Sequence, residues 1–227
     1  MVVRWRIASV AGSLAGTAVF GSVLFAAAGT TDWPAAWWWL GVFTLASVAI
    51  SFTIDTGLIR ERITGVKKIA AASNAADIWG GVFGALFFGW LPLLGLDAIR
   101  YRWAPLSSSM RPPGLVLFAF ANVIFWWVMR ANPYASSAVH VQDDRGQEVI
   151  DTGPYAFVRH PMYFGVIPFL AGTSLALGSG IGLALALLVF IPLAVRTWVE
   201  DRLLHDSLPG YHAYAQRVRQ RLIPFVW

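Results

Sequence analysis

The chain has no cysteine, and charged residues make up only 13% of its 227 positions. Without cysteine, no disulfide can staple the fold and no thiolate metal site can form. A soluble domain carries about a quarter charged residues. Roughly half that share, with 57% hydrophobic residues and a mean hydropathy of +0.61, describes an integral membrane protein. The chain also lacks a dinucleotide fingerprint, because the glycine run Gly178-Ser-Gly-Ile-Gly182 follows no strand. It shows no internal repeat and no low-complexity segment. Acidic side chains are the scarcer sign, 12 against 17 Lys and Arg, for a net charge of +5. Those cations sit between apolar runs and not on a soluble face, so anionic lipid headgroups fit them better than nucleic acid.

What is there is a series of apolar segments that predicts an all-α, polytopic membrane helix bundle of about five to six spans. The segments are Ile7–Ala28, Ala36–Ile54, Ile78–Leu96 and Leu115–Met129, then a pair within Tyr163–Val195 broken at Gly178–Gly182. The N-terminal Met1-Val-Val-Arg-Trp-Arg6 ahead of Ile7 imitates a signal peptide. The apolar run behind it exceeds the ~7–15 residues of such a region, so it reads as an uncleaved span, with cleavage after Ala26-Ala-Ala28 as the alternative. Gly12 and Gly16 offer a small-residue face for helix packing, and Trp37-Trp38-Trp39 an interfacial belt. Pro92 is expected to kink the third segment. The fourth is short for a bilayer that needs ~20 residues. Each arm of the last pair is too short to cross comfortably, which predicts a tight hairpin. A transporter would carry charges inside its spans; the segments drawn here hold none.

With an inside N-terminus, fourteen of the seventeen cations face one side, leaving only Arg100, Arg102 and Arg111 opposite. The positive-inside rule then puts both termini and the long polar loop Arg130–His160 in the cytoplasm. Within that loop, Val139–Gln142 and Gln147–Ile150 flank Asp143-Asp-Arg-Gly146 and read as a small hairpin. The chain divides into N-terminal transmembrane helices (1–129) and a loop, hairpin and tail (130–227) that carry the polar motifs.

The densest of these is Thr152-Gly-Pro-Tyr-Ala-Phe-Val-Arg-His-Pro-Met-Tyr-Phe-Gly165. Gly153-Pro154 is a turn signal. Pro161 keeps His160 out of helical geometry and suits the first position of the next helix. Arg159 and His160 therefore precede a helix N-terminus, which favours a negative group nearby. A basic loop that anchors a span to lipid is the plainer reading of the same residues. Downstream lie Arg196, Glu200-Asp201, His205, Gly210-Tyr211-His-Ala-Tyr214, Arg217 and Arg221. Glu200 is four residues after Arg196, the spacing of an ordinary helical ion pair. Tyr211 and Tyr214 serve equally as interface anchors, and Arg217 and Arg221 as a solvated face of a tail helix. Asp201 and His205 have the spacing of a helical metal pair but no third ligand, so no metal site is expected.

Gly153-Pro-Tyr, Arg159-His-Pro-Met-Tyr-Phe-Gly165, Val199-Glu-Asp, Gly210-Tyr-His-Ala-Tyr214, Arg217, Arg221, Pro224 and Trp227 together resemble the isoprenylcysteine carboxyl methyltransferase family and the related bacterial phospholipid methyltransferases. The N-terminal half contributes only Arg60-Glu-Arg62 and Asn74-Ala-Ala-Asp77 to the likeness. The resemblance implies a membrane-type S-adenosylmethionine enzyme with a cytoplasmic cofactor pocket formed by Gly153, Pro154, Tyr155, His160, Tyr163, Gly165, Glu200, Asp201, Tyr211 and Tyr214. It implies that Arg159, Arg217 and Arg221 lie near the reacting groups. Asp201 stands where a second Glu is frequent, which keeps the charge. The acceptor implied is lipophilic or prenylated. Surplus arginine favours a carboxylate, while an amine headgroup would need a base, for which His160 is the nearby candidate. Sterol-type reductases share this C-terminal architecture, so an NADPH-dependent reductase is the alternative.

Overall fold

A computed structural model describes residues 2–70, 75–136, 142, 145–224 and 226. Among them every named element is helical: α1 (Val2–Ala28), α2 (Pro34–Thr53), α3 (Thr56–Ala70), α4 (Ala75–Gly95), α5 (Arg111–Ala131), α6 (Pro161–Leu177), α7 (Gly180–Ser207) and α8 (Tyr211–Arg217). Five stretches are long and apolar enough to cross a membrane: Val3–Ala28, Pro34–Thr53, Ala75–Tyr101, Ser108–Ala131 and Gly180–Ser207. The polytopic helical bundle expected from hydropathy is what the chain forms.

Several boundaries move. The fourth segment is not short, because α5 begins at Arg111 with prolines in its first turn and runs 21 residues. The last pair is asymmetric. α6 has 17 residues, whereas α7 has 28 and is about 42 Å long at 1.5 Å per residue, so α7 can cross although its sequence arm looked too short. Hydropathy ended that arm at Val195 because charged residues follow; the helix continues through them. For the same reason the helices include charges that the apolar segments excluded, among them Asp77, Asp97, Arg196, Glu200 and Asp201. α3 was not foreseen. Asp55 caps it, its Oδ1 accepting from the Leu58 amide at 3.0 Å, and Leu58 and Ile59 bury one face. The expected hairpin lies largely outside the described residues, and Gln147–Ile150 form no strand.

α5 and α6 pack most extensively, followed by α4 and α7, and then α1 against α2 and α4. Small residues set the α5–α6 distance: a Cβ on Gly172 would lie 2.5 Å from the Phe118 amide nitrogen and 2.9 Å from the Gly114 carbonyl. Two buried indoles stitch the layers, Trp39 Nε1 to Thr173 Oγ1 at 3.1 Å and Trp90 Nε1 to the Gly182 carbonyl at 2.8 Å. Gly12 and Gly16, expected to pack against another helix, face open space in the isolated chain.

The bundle has two distinct ends. At one, α4 passes into a π-helical turn (Leu96–Tyr101) beyond Pro92, and fully buried Asp97 accepts from Ser179 Oγ (2.6 Å) and the amides of Ala104 (2.7 Å) and Ile181 (3.1 Å). Gly178, at φ +85, ends α6, and Ser179 caps α7. At the other end, Arg6 Nη1 bonds the Ser51 carbonyl (2.9 Å), Arg130 Nη1 the Thr53 carbonyl (3.1 Å) and Arg62 Nη1 the Ala135 carbonyl (2.8 Å). That cation-rich end carries the polar loop and the tail.

Candidate active site

His160 is the residue before α6, and Pro161 opens the helix, as the sequence predicts. The tail returns to lie along this junction: the Arg159 amide bonds the Gln220 carbonyl (3.0 Å) and the His160 amide the Arg221 carbonyl (2.8 Å). Beneath that contact is the carboxylate of Asp201 on α7, 1% exposed. Arg159 grips it with two parallel bonds, Nε to Oδ1 at 2.8 Å and Nη2 to Oδ2 at 2.9 Å. Arg221 Nε reaches Oδ2 at 2.8 Å, Tyr211 donates to Oδ1 at 2.8 Å, and His160 Nε2 lies 3.3 Å from Oδ1. The remaining Arg159 nitrogen, Nη1, donates to the Val218 and Arg219 carbonyls at 2.8 and 2.9 Å. Burial opposes the charge on Arg159, but its hydrogen bonds and attraction to Asp201 outweigh this and raise its pKa.

In front of this hub is a cavity of about 120 Å³ between the polar loop, the start of α6, the end of α7 and α8. Tyr155, Arg159, His160, Tyr163, Glu200, Tyr211 and Tyr214 line it, together with Asn132, Gln147, Met162, Leu204 and Leu208. Three tyrosines form its tail-side wall: Tyr155 OH accepts from Asn132 Nδ2 (2.8 Å), Tyr214 OH donates to the Tyr155 carbonyl (2.8 Å), and Tyr211 stacks edge-on against Tyr214. Burial raises the pKa of Tyr155, Tyr211 and Tyr214, with the Asp201 charge adding to the effect at Tyr211, so all three hydroxyls stay protonated.

On the opposite side, the imidazole of His160 stacks on the ring of Tyr163 at 5.8 Å, nearly parallel. Tyr163 OH donates a short hydrogen bond to Glu200 and accepts from Arg196 Nε at 2.9 Å. Arg196 stays 4.0 Å from Glu200, so the expected i,i+4 pair exists but is looser than the link through tyrosine. Arg196 also lies within electrostatic reach of buried Asp77 and against Gly80, where any side chain would collide with its guanidinium.

A second cavity, of about 530 Å³ and mostly apolar, adjoins the first within the bundle. Ser136, Met162 and Tyr163 border both, and Arg196 borders the second. The two volumes together fall within the ~300–1,000 Å³ of small-molecule sites.

The structure thus brings seven of the singled-out residues to one cavity and places the others elsewhere. Gly153, at φ +60, turns the chain against Trp127, and Pro154 is buried in that turn. Gly165 fits against Phe125 and Ile124 of α5. Asp201 lies behind the wall as an anchor. Arg217 is exposed and pairs with Asp151 at 2.7 Å. The tail helix ends at Arg217, so Arg221 does not share its face; it points inward to Asp201. His205 packs edge-on against Tyr211 and His212. The sequence did not assign Arg196, Asn132, Met162 or Arg62 to the site, although Arg196 stands four residues before Glu200 and Met162 and Arg62 lie within stretches that carry the resemblance.

The fold and site define a polytopic helical membrane protein whose polar pocket, at one end of the bundle, shares a wall with an apolar cavity between helices. Residues 111–208, from the start of α5 to just past α7, match the family model for phospholipid methyltransferase, within the group of integral membrane methyltransferases. The resemblance read from the motifs is therefore shown over this stretch. Two curated relatives are both 34% identical in sequence. The nickel-cobalt-cadmium resistance protein NccN of Alcaligenes xylosoxydans matches over 117 residues, 49% of each chain. The cobalt-zinc-cadmium resistance protein CzcN of Cupriavidus metallidurans matches over 85 residues, 35% of this chain and 38% of the relative. The chain spans about half the length of the first and less of the second.

Proposed function

We propose that this protein is an integral membrane methyltransferase that moves a methyl group from S-adenosylmethionine to a lipid-like acceptor, with a carboxylate as the accepting group and the pocket facing the cytoplasm. The observation that carries this reading is the meeting of a polar and an apolar cavity at Tyr163 and Met162. A water-soluble donor and a membrane-borne acceptor need such an arrangement, each entering from its own phase. The residues present suit the donor: Glu200 for its cationic groups, the faces of Tyr155, His160 and Tyr163 for adenine or sulfonium, and Asn132 and Gln147 for its polar tail. When bound, S-adenosylmethionine supplies a methyl group activated on a sulfonium.

The protein's part is positioning and electrostatics. Glu200 favours a cation in the polar cavity. Arg196, on the other side of Tyr163, offers a guanidinium where an acceptor carboxylate would end. Tyr163, held between Glu200 and Arg196, fixes the distance between the two charges. Transfer to a carboxylate breaks one carbon–sulfur bond and forms one carbon–oxygen bond, with the electron pair remaining on sulfur. No proton moves, so the site needs no base. Arg159 and Asp201 position His160 and Tyr211 and contribute nothing directly to the reacting atoms. The matched family's name favours a second reading, an amine headgroup whose proton would pass to His160 or Glu200.

Thermal unfolding of the purified protein with S-adenosylmethionine, S-adenosylhomocysteine and NADPH tests the donor. The first two should stabilise; a shift with NADPH alone would install a reductase in place of a methyltransferase. Incubation with radiolabelled donor and host lipid extract then tests the bond. A label released as methanol by mild alkali marks a carboxyl ester, whereas an alkali-stable label marks N-methylation and overturns the carboxylate.

A further inference from the structure

The inner cavity is not a plain hydrocarbon slot, and its unusual features come from helices outside the family-matched stretch. Its floor is apolar, with Phe83, Phe125, Val166 and Leu193. Its opposite wall carries four serines, Ser9 and Ser13 from α1 and Ser47 and Ser51 from α2. Three of the four hydroxyls are engaged within the wall: Ser13 donates to the Ser9 carbonyl and Ser51 to the Ser47 carbonyl, each at 3.0 Å, and the Ser9 and Ser51 hydroxyls are 2.7 Å apart. What such a wall offers from all four hydroxyls is oxygen lone pairs, that is, acceptors for a hydroxyl or amide N–H on a ligand. Ser9 to Ser13 and Ser47 to Ser51 each span one helical turn, so the polar strip is about 6 Å long. That matches a short polar neck, not a whole acyl chain.

At the pocket end of the same cavity, α3 places Arg62 half-buried beside Ser136 and Tyr163. Among the described residues its one hydrogen bond runs from Nη1 to the Ala135 carbonyl, and no carboxylate is paired with it. Burial lowers its pKa, and Tyr163 and Tyr155 act against that lowering. A guanidinium that keeps donors available in a partly desolvated cavity is suited to an oxyanion.

We infer that Arg62 and the serine strip select the acceptor. They favour an amphipathic molecule that bears a phosphate or carboxylate at the Arg62 end and a hydroxyl- or amide-bearing neck within about 6 Å, in preference to an anionic headgroup joined directly to hydrocarbon. This rests on the cavity being the acceptor's, as proposed above. It assigns acceptor choice to α1–α3 and leaves donor binding to the matched segment.

The test uses the full chain in neutral detergent and three probes of equal acyl length: lysophosphatidate (phosphate with a hydroxylated neck), oleate (carboxylate without a neck) and monooleoylglycerol (neck without a charge). Binding is read by calorimetry, with S-adenosylmethionine titrated into each sample in parallel. Wild type should bind lysophosphatidate tightest. Arg62→Gln should weaken lysophosphatidate and oleate by about 10- to 100-fold, the range for a lost charged hydrogen bond, and leave monooleoylglycerol unchanged. Ser13→Ala with Ser47→Ala should weaken lysophosphatidate and monooleoylglycerol by about 3- to 10-fold and leave oleate alone. Arg62→Lys, with melting curves for every variant, separates lost contacts from lost folding by restoring part of the anion affinity. Equal affinity for all three probes, or anion binding unchanged in Arg62→Gln, overturns the inference. Loss of donor binding with the probe order intact would overturn the methyltransferase reading and keep this acceptor site. An unranked probe series with donor binding intact would do the reverse.

Discussion

Replacing Asp201 with Asn tests whether the most highly bonded group in the site is an anchor or a ligand. The change keeps size and removes one negative charge. The Asp201 carboxylate is buried and accepts two hydrogen bonds from one edge of Arg159, whose side chain is only 5% exposed. Removing one partner of such a buried pair costs about 3–5 kcal/mol, because the other charge is left without its counter-ion. Arg221 adds less, since its side chain is 35% exposed and water screens it. At roughly 2–4 °C per kcal/mol for a chain of this size, Asp201→Asn should lower the melting midpoint by about 6–20 °C in detergent. The same loss should free the tail, because Arg159 also holds the Val218 and Arg219 carbonyls and the Gln220–Arg221 backbone lies against it. Trypsin should therefore cut after Arg217, Arg219 or Arg221 well before it cuts elsewhere. Arg159→Lys should lower the midpoint in the same direction, and the double variant should cost less than the sum of the singles, because the two residues act as a unit. A midpoint within about 2 °C of wild type and an uncut tail in Asp201→Asn would refute the anchor. If activity also vanished in that well-folded variant, Asp201 would move into the reacting site.

Three further outcomes follow from the geometry. Glu200→Gln removes the half-buried carboxylate that faces the polar cavity, so affinity for S-adenosylmethionine should fall about tenfold or more by calorimetry; unchanged affinity would confine Glu200 to its bond with Tyr163. Gly172→Ala forces a methyl group against the Phe118 backbone at 2.5 Å and should destabilise the bundle by about 1–3 kcal/mol in denaturant, whereas Gly12→Ala, with nothing within 4 Å, should change little. Single cysteines at Ser136 and Asp206, in a chain that has none of its own, should resist an impermeant thiol reagent in intact cells while one at Ser108 reacts; labelling at Ser136 would reverse the proposed orientation.

Composition and hydropathy by themselves determined that this is a helical membrane protein, because a bilayer demands long apolar segments whose backbone bonds are satisfied internally. Local rules were as reliable at the break between α6 and α7, where Gly178 must take positive φ, and at the start of α6, where Pro161 dictates the geometry of His160. The ordered motif also carried the resemblance that the match over residues 111–208 supports, and with it the aromatic and acidic part of the cavity's lining, since Tyr155, His160, Tyr163 and Glu200 lie within one loop, one helix start and one turn of α7. Hydropathy failed where helices continue through charge, which is why α7 looked too short and Arg196 was read as a mere partner for Glu200. Only the tertiary structure decided which charges face each other. Arg159 and Asp201 are 42 residues apart, and no pattern along the chain says that the tail folds back to seal them together. The same holds for the inner cavity, where Ser9, Ser51, Arg62 and Arg196 meet from four separate helices. A helix's sequence shows which residues share its face, but the partner of that face is set by the packing of the whole bundle.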